Sequence, residues 1–144
     1  MIKAFGGKMK IALEHSKSDL PLDDVKVEID GYGIDGNRIL LVEAFARIKK
    51  LLSGQKRKIL TDAFKLIFIA DRLKAKHPPS AKIEAHLVFL SAAARDSVVR
   101  VNWPSAALKH FGIVTHVVRV SRAVKDRVRK AEANQAKNQA GRRK

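Results

Sequence analysis

Residues 39–48 read ILLVEAFARI, a run of apolar side chains broken by one carboxylate, Glu43. Four apolar residues precede it and Ala-Phe-Ala follows. An ionised carboxylate in such surroundings costs several kcal/mol unless something pairs with it. How this stretch folds, and what meets Glu43, decides the reading of the whole chain. The apolar run around Glu43 predicts a long, central β-strand. The competing reading is a helix over NRILLVEAFARIKKLL, because Leu41, Phe45, Ile48 and Leu52 also fall at helical spacing.

That helix would complete a dinucleotide-binding fingerprint, since GYGIDG at 31–36 matches G-x-G-x-x-G literally. Two features oppose it. The strand before the glycines would set Asp30 beside an anionic pyrophosphate. About twenty residues on, where a second strand with a ribose-binding acid is needed, the chain reads ILTDAFKLIFIAD. The strand reading is therefore kept.

Upstream of the run, in VKVEIDGYG, Val25, Val27 and Ile29 alternate with Lys26, Glu28, Asp30 and Tyr32, the period of a strand. Between the two strands IDGN supplies turn chemistry. With Asp35-Gly36 as the two-residue turn, Glu28 lies across from Glu43. A turn displaced by one residue puts Asp30 there instead. Both registers place Glu28, Asp30 and Glu43 on one face. Carboxylates that close do not all stay ionised without a cation. A Mg²⁺ ion, with Mn²⁺ as a substitute, resolves the conflict through oxygen ligands from two strands, water and a phosphate. Such an ion polarises a phosphoryl group and acidifies an attacking water. The plainer alternative leaves Glu28 and Asp30 facing solvent and pairs Glu43 with a nearby Arg or Lys.

The rest of the chain alternates helices and strands. Residues 8–15 suggest a short helix, 55–74 a long one stopped by KHPPS, and KIEAHLVFL another strand. A short helix is expected from Pro104 to Gly112, then a strand at IVTHVVRV. Ser121 is placed to cap a final helix with a polar, fraying end. This order predicts an α/β fold, a mixed central sheet with a β-hairpin and flanking helices. It divides into one domain over 1–126 and a basic helical tail over 127–144.

Charge narrows the partner. The 144 residues carry 30 Lys and Arg against 14 Asp and Glu, a net +16, and no cysteine. Half of that excess lies between Arg119 and Lys144. A polyanion is implied, nucleic acid ahead of an acidic membrane. The tail is rich in Ala, Asn and Gln and lacks a bulky apolar face, which argues against a membrane partner. The first twenty residues hold no long apolar stretch, so a cytoplasmic protein is expected. Disulfides and thiolate metal sites are excluded. In the tail, Arg127, Arg129 and Lys130 are candidate contacts to a nucleic-acid backbone. Lys56, Arg57 and Lys58 open the long helix, where the macrodipole disfavours cations but free N–H groups and positive charge suit a phosphate.

A strand acid in EIDGYG, a tight turn, an acid inside an apolar strand and GQKRK opening a helix together resemble the PD-(D/E)XK nuclease superfamily. More narrowly, VEAFARI, GQKRK, TDAFKL and NWPSAALKHFGI look like a prokaryotic group of restriction-endonuclease-like domains. The likeness spans roughly residues 25–120, through short and degenerate motifs. It implies Mg²⁺-dependent cleavage of phosphodiesters in DNA, with Asp30 and Glu43 as metal ligands. Glu14 would match an extra helix acid and Gln55 a polar residue opening the helix. Members often pair as homodimers to cut both strands. One position departs from the pattern, because the superfamily's catalytic Lys belongs two residues after Glu43, at Phe45. Arg47, Lys58 and, less aptly, Lys49 are the substitutes. Arg is a good phosphate clamp but a poor proton-transfer group.

His86, His110 and His116 share no metal-binding spacing and read as structural or surface residues. Trp103 is expected to anchor a helix start in the core, with base stacking as the alternative. Three functions follow in order: a Mg²⁺-dependent nuclease-type domain acting on DNA, a catalytically inactive DNA- or RNA-binding module on the same fold, and a small basic RNA- or ribosome-associated protein.

Overall fold

The computed structural model describes residues 1–14, 22, 25–100 and 103–141, with side chains through residue 135. Among them run helix α1 (Ile2–Met9), strands β1 (Gly31–Asp35) and β2 (Arg38–Phe45), helix α2 (Ser53–Lys76), strand β3 (Lys82–Phe89), helices α3 (Ala92–Val99) and α4 (Trp103–His110), strand β4 (Val114–Val117) and helix α5 (Arg122–Gly141). The strands form one mixed sheet in the order β1-β2-β3-β4. β1 and β2 are antiparallel, while β2, β3 and β4 are parallel. The chain is thus α/β, as expected, with helical crossovers joining the parallel strands.

ILLVEAF is a strand because the sheet is covered on both sides. Ile39 and Leu41 face α2 in one core, with Ala85, Leu87 and Phe89 of β3. Leu40 and Val42 face α1 in a second core with Phe5, Val88 and Val118. A strand buried on two faces shows a continuous apolar run instead of an alternation. The helix reading is excluded.

The hairpin takes the displaced register. Asp35 pairs with Arg38, so Gly36-Asn37 is the loop and Gly36 adopts φ 55°. Glycine suits that first loop position because a left-handed φ costs it little. The other two fingerprint glycines, Gly31 and Gly33, serve packing. A Cβ at Gly33 would lie 2.6 Å from the carbonyl oxygen of Ala12, so only glycine lets segment 11–14 draw up against β1.

Several expectations need correction. Of the strand predicted over 25–33 only the last three residues are strand, since β1 begins at Gly31 and the backbone bends at Asp30. The first helix spans Ile2–Met9, not 8–15, because Lys10 turns left-handed (φ 57°) and ends it. Glu14 consequently lies in extended backbone, hydrogen-bonded to Tyr32 in both directions. Helix α3 was not foreseen, and Trp103 is 73% exposed instead of anchored in the core. The short helix before Gly112 and the Ser121 cap hold: Gly112 has φ 67°, and Ser121 Oγ accepts from Val124 N at 3.4 Å. Among the described residues no helix is long and apolar enough to cross a membrane.

Candidate functional site at the carboxyl end of β2

Gly31 pairs with Val42, so the next residues outward, Asp30 and Glu43, come face to face where the ladder ends. Asp30 Oδ2 accepts a hydrogen bond from the Ala44 N–H at 2.8 Å, which fixes its carboxylate against β2. Glu43 points the same way as Leu41, toward α2, and is 3% exposed. The bend at Asp30 reverses the alternation upstream: Val27 and Ile29 enter the α2-side core and Glu28 turns to solvent. Glu28 therefore does not join the acidic face, a correction to the expected trio. Only its backbone carbonyl reaches the site.

Helix α2 starts just beyond the end of β2 and runs back along the sheet, so its first turns overhang this corner. Its buried stripe is Ile59, Asp62, Ala63, Leu66, Ile69 and Leu73, in which Asp62 is the only charge. Lys58 and Lys65 flank it. Lys65 forms an ion pair with Glu43 Oε1, donates to the Glu28 carbonyl at 2.7 Å and lies 3.7 Å from Asp62. Lys58 donates to Asp62 Oδ2 at 2.6 Å, with its ammonium 5.8 Å from the centre of the Phe45 ring. Phe45 itself stacks on Phe89 with ring centroids 5.4 Å apart.

Lys65 thus answers what meets Glu43. Sequence reasoning missed both Lys65 and Asp62. Their signal was visible, as charges spaced i, i+4 and i+7 from Lys58 along a stripe that otherwise continues apolar.

The electrostatics follow from burial. Removal from water pushes the Glu43 carboxyl up to about 7, against the opposing pull of the Lys65 ammonium; Asp30 and Asp62 push it further up. The hydrogen bond to Asp62 raises Lys58 above the ordinary lysine range, so it stays a cation at neutral pH. Two carboxylates, a third behind them and two ammonium groups therefore share one corner.

The other expected residues are more dispersed. Gln55 closes its own helix start, accepting from Leu52 N at 3.0 Å. Lys56 and Arg57 are exposed in the first turn of α2, and Arg127, Arg129 and Lys130 are exposed on α5. Arg47 extends beyond β2 and is held by Glu132 and Gln135 of α5. With Lys49, Lys50, Lys58, Ser53 and Gln55 it lines a groove of about 630 Å³ leading away from the acidic corner. On the opposite sheet face, His86 and His116 hydrogen-bond to each other at 3.1 Å beneath Phe5, which supports their structural reading. His110 lies at the end of α4 against Phe111.

Among the described residues no three His, Cys, Asp or Glu side chains gather as a metal cluster. Mg²⁺ does not require three, because it commonly uses one or two carboxylates and fills the remaining positions with water and phosphate. Asp30 and Glu43 are the two carboxylates that would have to meet that demand, and in this structure Glu43 pairs with Lys65 while one oxygen of Asp30 accepts from Ala44 N. No protein-family model and no curated protein sequence matches this chain.

Proposed function

We propose that this protein is a nucleic-acid-binding domain of the restriction-endonuclease-like, PD-(D/E)XK type, hydrolysing phosphodiester bonds in DNA with Mg²⁺. The observation that carries the reading is the juxtaposition of Asp30 and Glu43 at the sheet's open end, with Lys58 poised over Phe45. Phe45 fills the place where the superfamily keeps its lysine, and the ammonium of Lys58 reaches the same neighbourhood from α2. The topology is compatible: Glu14 bridges β1 antiparallel at Tyr32, β1 and β2 are antiparallel, and β3 returns parallel to β2 after α2.

In this reading Asp30 and Glu43 hold the metal, and Mg²⁺, when bound, polarises the phosphate and acidifies the attacking water. The chain's own residues do the rest. Lys58, kept protonated and aimed by Asp62, offsets the charge that builds on the attacked phosphate. Lys65 favours the ionised form of Glu43 against the burial that opposes it. Asp30, locked to the Ala44 N–H, keeps its orientation without a rotamer search. Lys56 and Arg57 in the first turn of α2, together with Arg127, Arg129 and Lys130, supply positive charge for flanking phosphates.

Nicking of supercoiled plasmid with Mg²⁺ or Mn²⁺ tests the proposal. Wild type is expected to nick; Asp30→Ala and Glu43→Ala are each expected to lose nicking while still binding DNA. Lys58→Ala is expected to lower the rate by about two to three orders of magnitude.

One contact favours a second reading. The Lys65–Glu43 pair neutralises the buried acid without any metal, as a binding module with no catalysis on the same fold would require. Equal, salt-sensitive binding of DNA or RNA by wild type and both acid variants, with no cleavage in either metal, would select that reading and overturn the first.

A further inference from the structure

Helix α5 is polar nearly all round, and its half-buried stripe is short: Val124, Lys125, Val128 and Glu132. It holds two acids. Asp126 is spent within the helix, 2.8 Å from Arg129. Glu132 reaches out to the body instead, with its side chain only 10% exposed. Its Oε1 accepts from the Ile48 N–H at 2.9 Å and lies 3.9 Å from Arg47 Nη1. Gln135, one turn on, accepts from the same guanidinium.

The receiving end is anchored by hydrogen bonds of its own. The Ile48 carbonyl accepts from Ser91 Oγ at 2.8 Å, and the Arg47 N–H bonds to Phe45 O at 3.0 Å. One backbone N–H and one guanidinium therefore converge on a single anionic oxygen, in a groove to which Lys49, Lys50 and Lys58 also contribute. That donor set matches a phosphate oxygen as well as a carboxylate. In a chain with so large a cationic excess, an acid placed where the basic tail meets a groove rich in lysine stands out as an internal substitute for a ligand.

We propose that Arg47 and the Ile48 N–H form a seat for one backbone phosphate of the bound nucleic acid, and that Glu132 fills this seat in the free protein. Binding exchanges carboxylate for phosphate and releases α5 from the groove. The released helix brings its cations onto the strand. The seat lies along the groove from Lys58, so it takes a phosphate flanking the one at the acidic corner. The inference rests on the nucleic-acid reading above but not on catalysis.

Fluorescence anisotropy with a labelled 12-nucleotide single strand and a 12-base-pair duplex, in EDTA so that nothing is cut, tests the exchange. Glu132→Gln is expected to bind about five- to tenfold tighter than wild type. Asp35→Asn, an equal change of net charge at the hairpin tip, should gain less than about twofold. In an Arg47→Gln background the Glu132→Gln gain should shrink to that of Asp35→Asn. The slope of log K against log salt should fall by about 0.7–0.9 in Arg47→Gln, the value for one lost phosphate contact. A Glu132→Gln gain no larger than that of Asp35→Asn, or an undiminished gain beside Arg47→Gln, would overturn the seat while leaving nucleic-acid binding intact. Failure of every variant and of wild type to bind would overturn the functional reading and the seat with it. Should Glu132→Gln unfold by circular dichroism, the Ile48 amide shift of ¹⁵N-labelled wild type decides: large movement on adding the strand is expected, and no movement refutes the seat.

Discussion

Glu43 pays for its place with a raised pKa, and that gives the fold a pH dependence of known sign. The unfolded carboxyl titrates near 4.5 and the folded one near 7. Between those values the native state holds a proton that the unfolded chain releases, so stability falls as pH rises through the window. The span corresponds to at most about 3 kcal/mol. Glu43→Gln removes the titration. In metal-free buffer the variant should gain on wild type by up to that amount between pH 5 and pH 8, read as the difference in urea unfolding free energy. A constant difference across that range would show that Lys65 compensates the burial in full. Asp62 sets a second prediction at this scale. Asp62→Asn leaves Lys58 without its 2.6 Å partner, so plasmid nicking should fall by about tenfold or more while DNA affinity changes little. Nicking that falls only in proportion to affinity would mean that Asp62 does not position Lys58.

At the scale of elements, α1 is held by one aromatic residue over two imidazoles. Phe5 is fully buried, 5.3 Å from the ring of His86 and 4.8 Å from that of His116. Burial, with His116 alongside, lowers His86 from 6.5 to about 4; burial, then Lys8 of α1, lowers His116. Around the pair stand Glu84 of β3, 3.5 Å from His86 Nε2, and Arg38 of β2, which bonds Glu84 at 3.0 Å. Here the sign is opposite to that of Glu43. The unfolded chain takes up a proton below 6.5 that the folded His86 refuses until about 4, so stability is lost as pH falls through that interval. His86→Gln should flatten the acid side of the stability profile, and Phe5→Ala should cost about 3–5 kcal/mol at neutral pH. An unchanged acid limb in His86→Gln would place the loss elsewhere. Elements with one unambiguous signature were legible from sequence. β2 had its apolar run, α2 its stripe and Pro stop, and α4 its Pro start and Gly end. The bend at Asp30 was hidden because Val25, Val27 and Ile29 keep period two right up to it, and Asp30 and Tyr32 continue the count. That misplaced Glu28 and left Asp30 and Glu43 correctly opposed. The end of α1 at Lys10 was hidden because lysine carries no left-handed signal. Helix α3 had a usable one in Ser91, whose Oγ accepts from Ala94 N at 3.1 Å, ahead of a run of alanines.

Across the whole molecule, one cluster of charge gathers where β2 gives way to α2 and meets α5. The two cores take up both faces of the sheet, and the acidic corner sits where β2 stops and α2 begins. The groove and α5 extend the positive field outward from there. Not every cation on α5 is equally available. Arg129 is already engaged by Asp126 at 2.8 Å, whereas Arg127 and Lys130 have no acid within ion-pair distance among the described residues. The polyelectrolyte argument converts this into numbers. Each cation that neutralises a phosphate adds about 0.7–0.9 to the slope of log K against log salt. Arg127→Gln and Lys130→Gln should each lower that slope by about this amount and weaken duplex binding several-fold in moderate salt. Arg129→Gln should change it less, since its charge is partly spent before any nucleic acid arrives. Equal losses at all three positions would mean that Asp126 surrenders Arg129 on binding. No loss at any of them would confine the nucleic acid to the groove and the corner, with α5 acting only through Glu132.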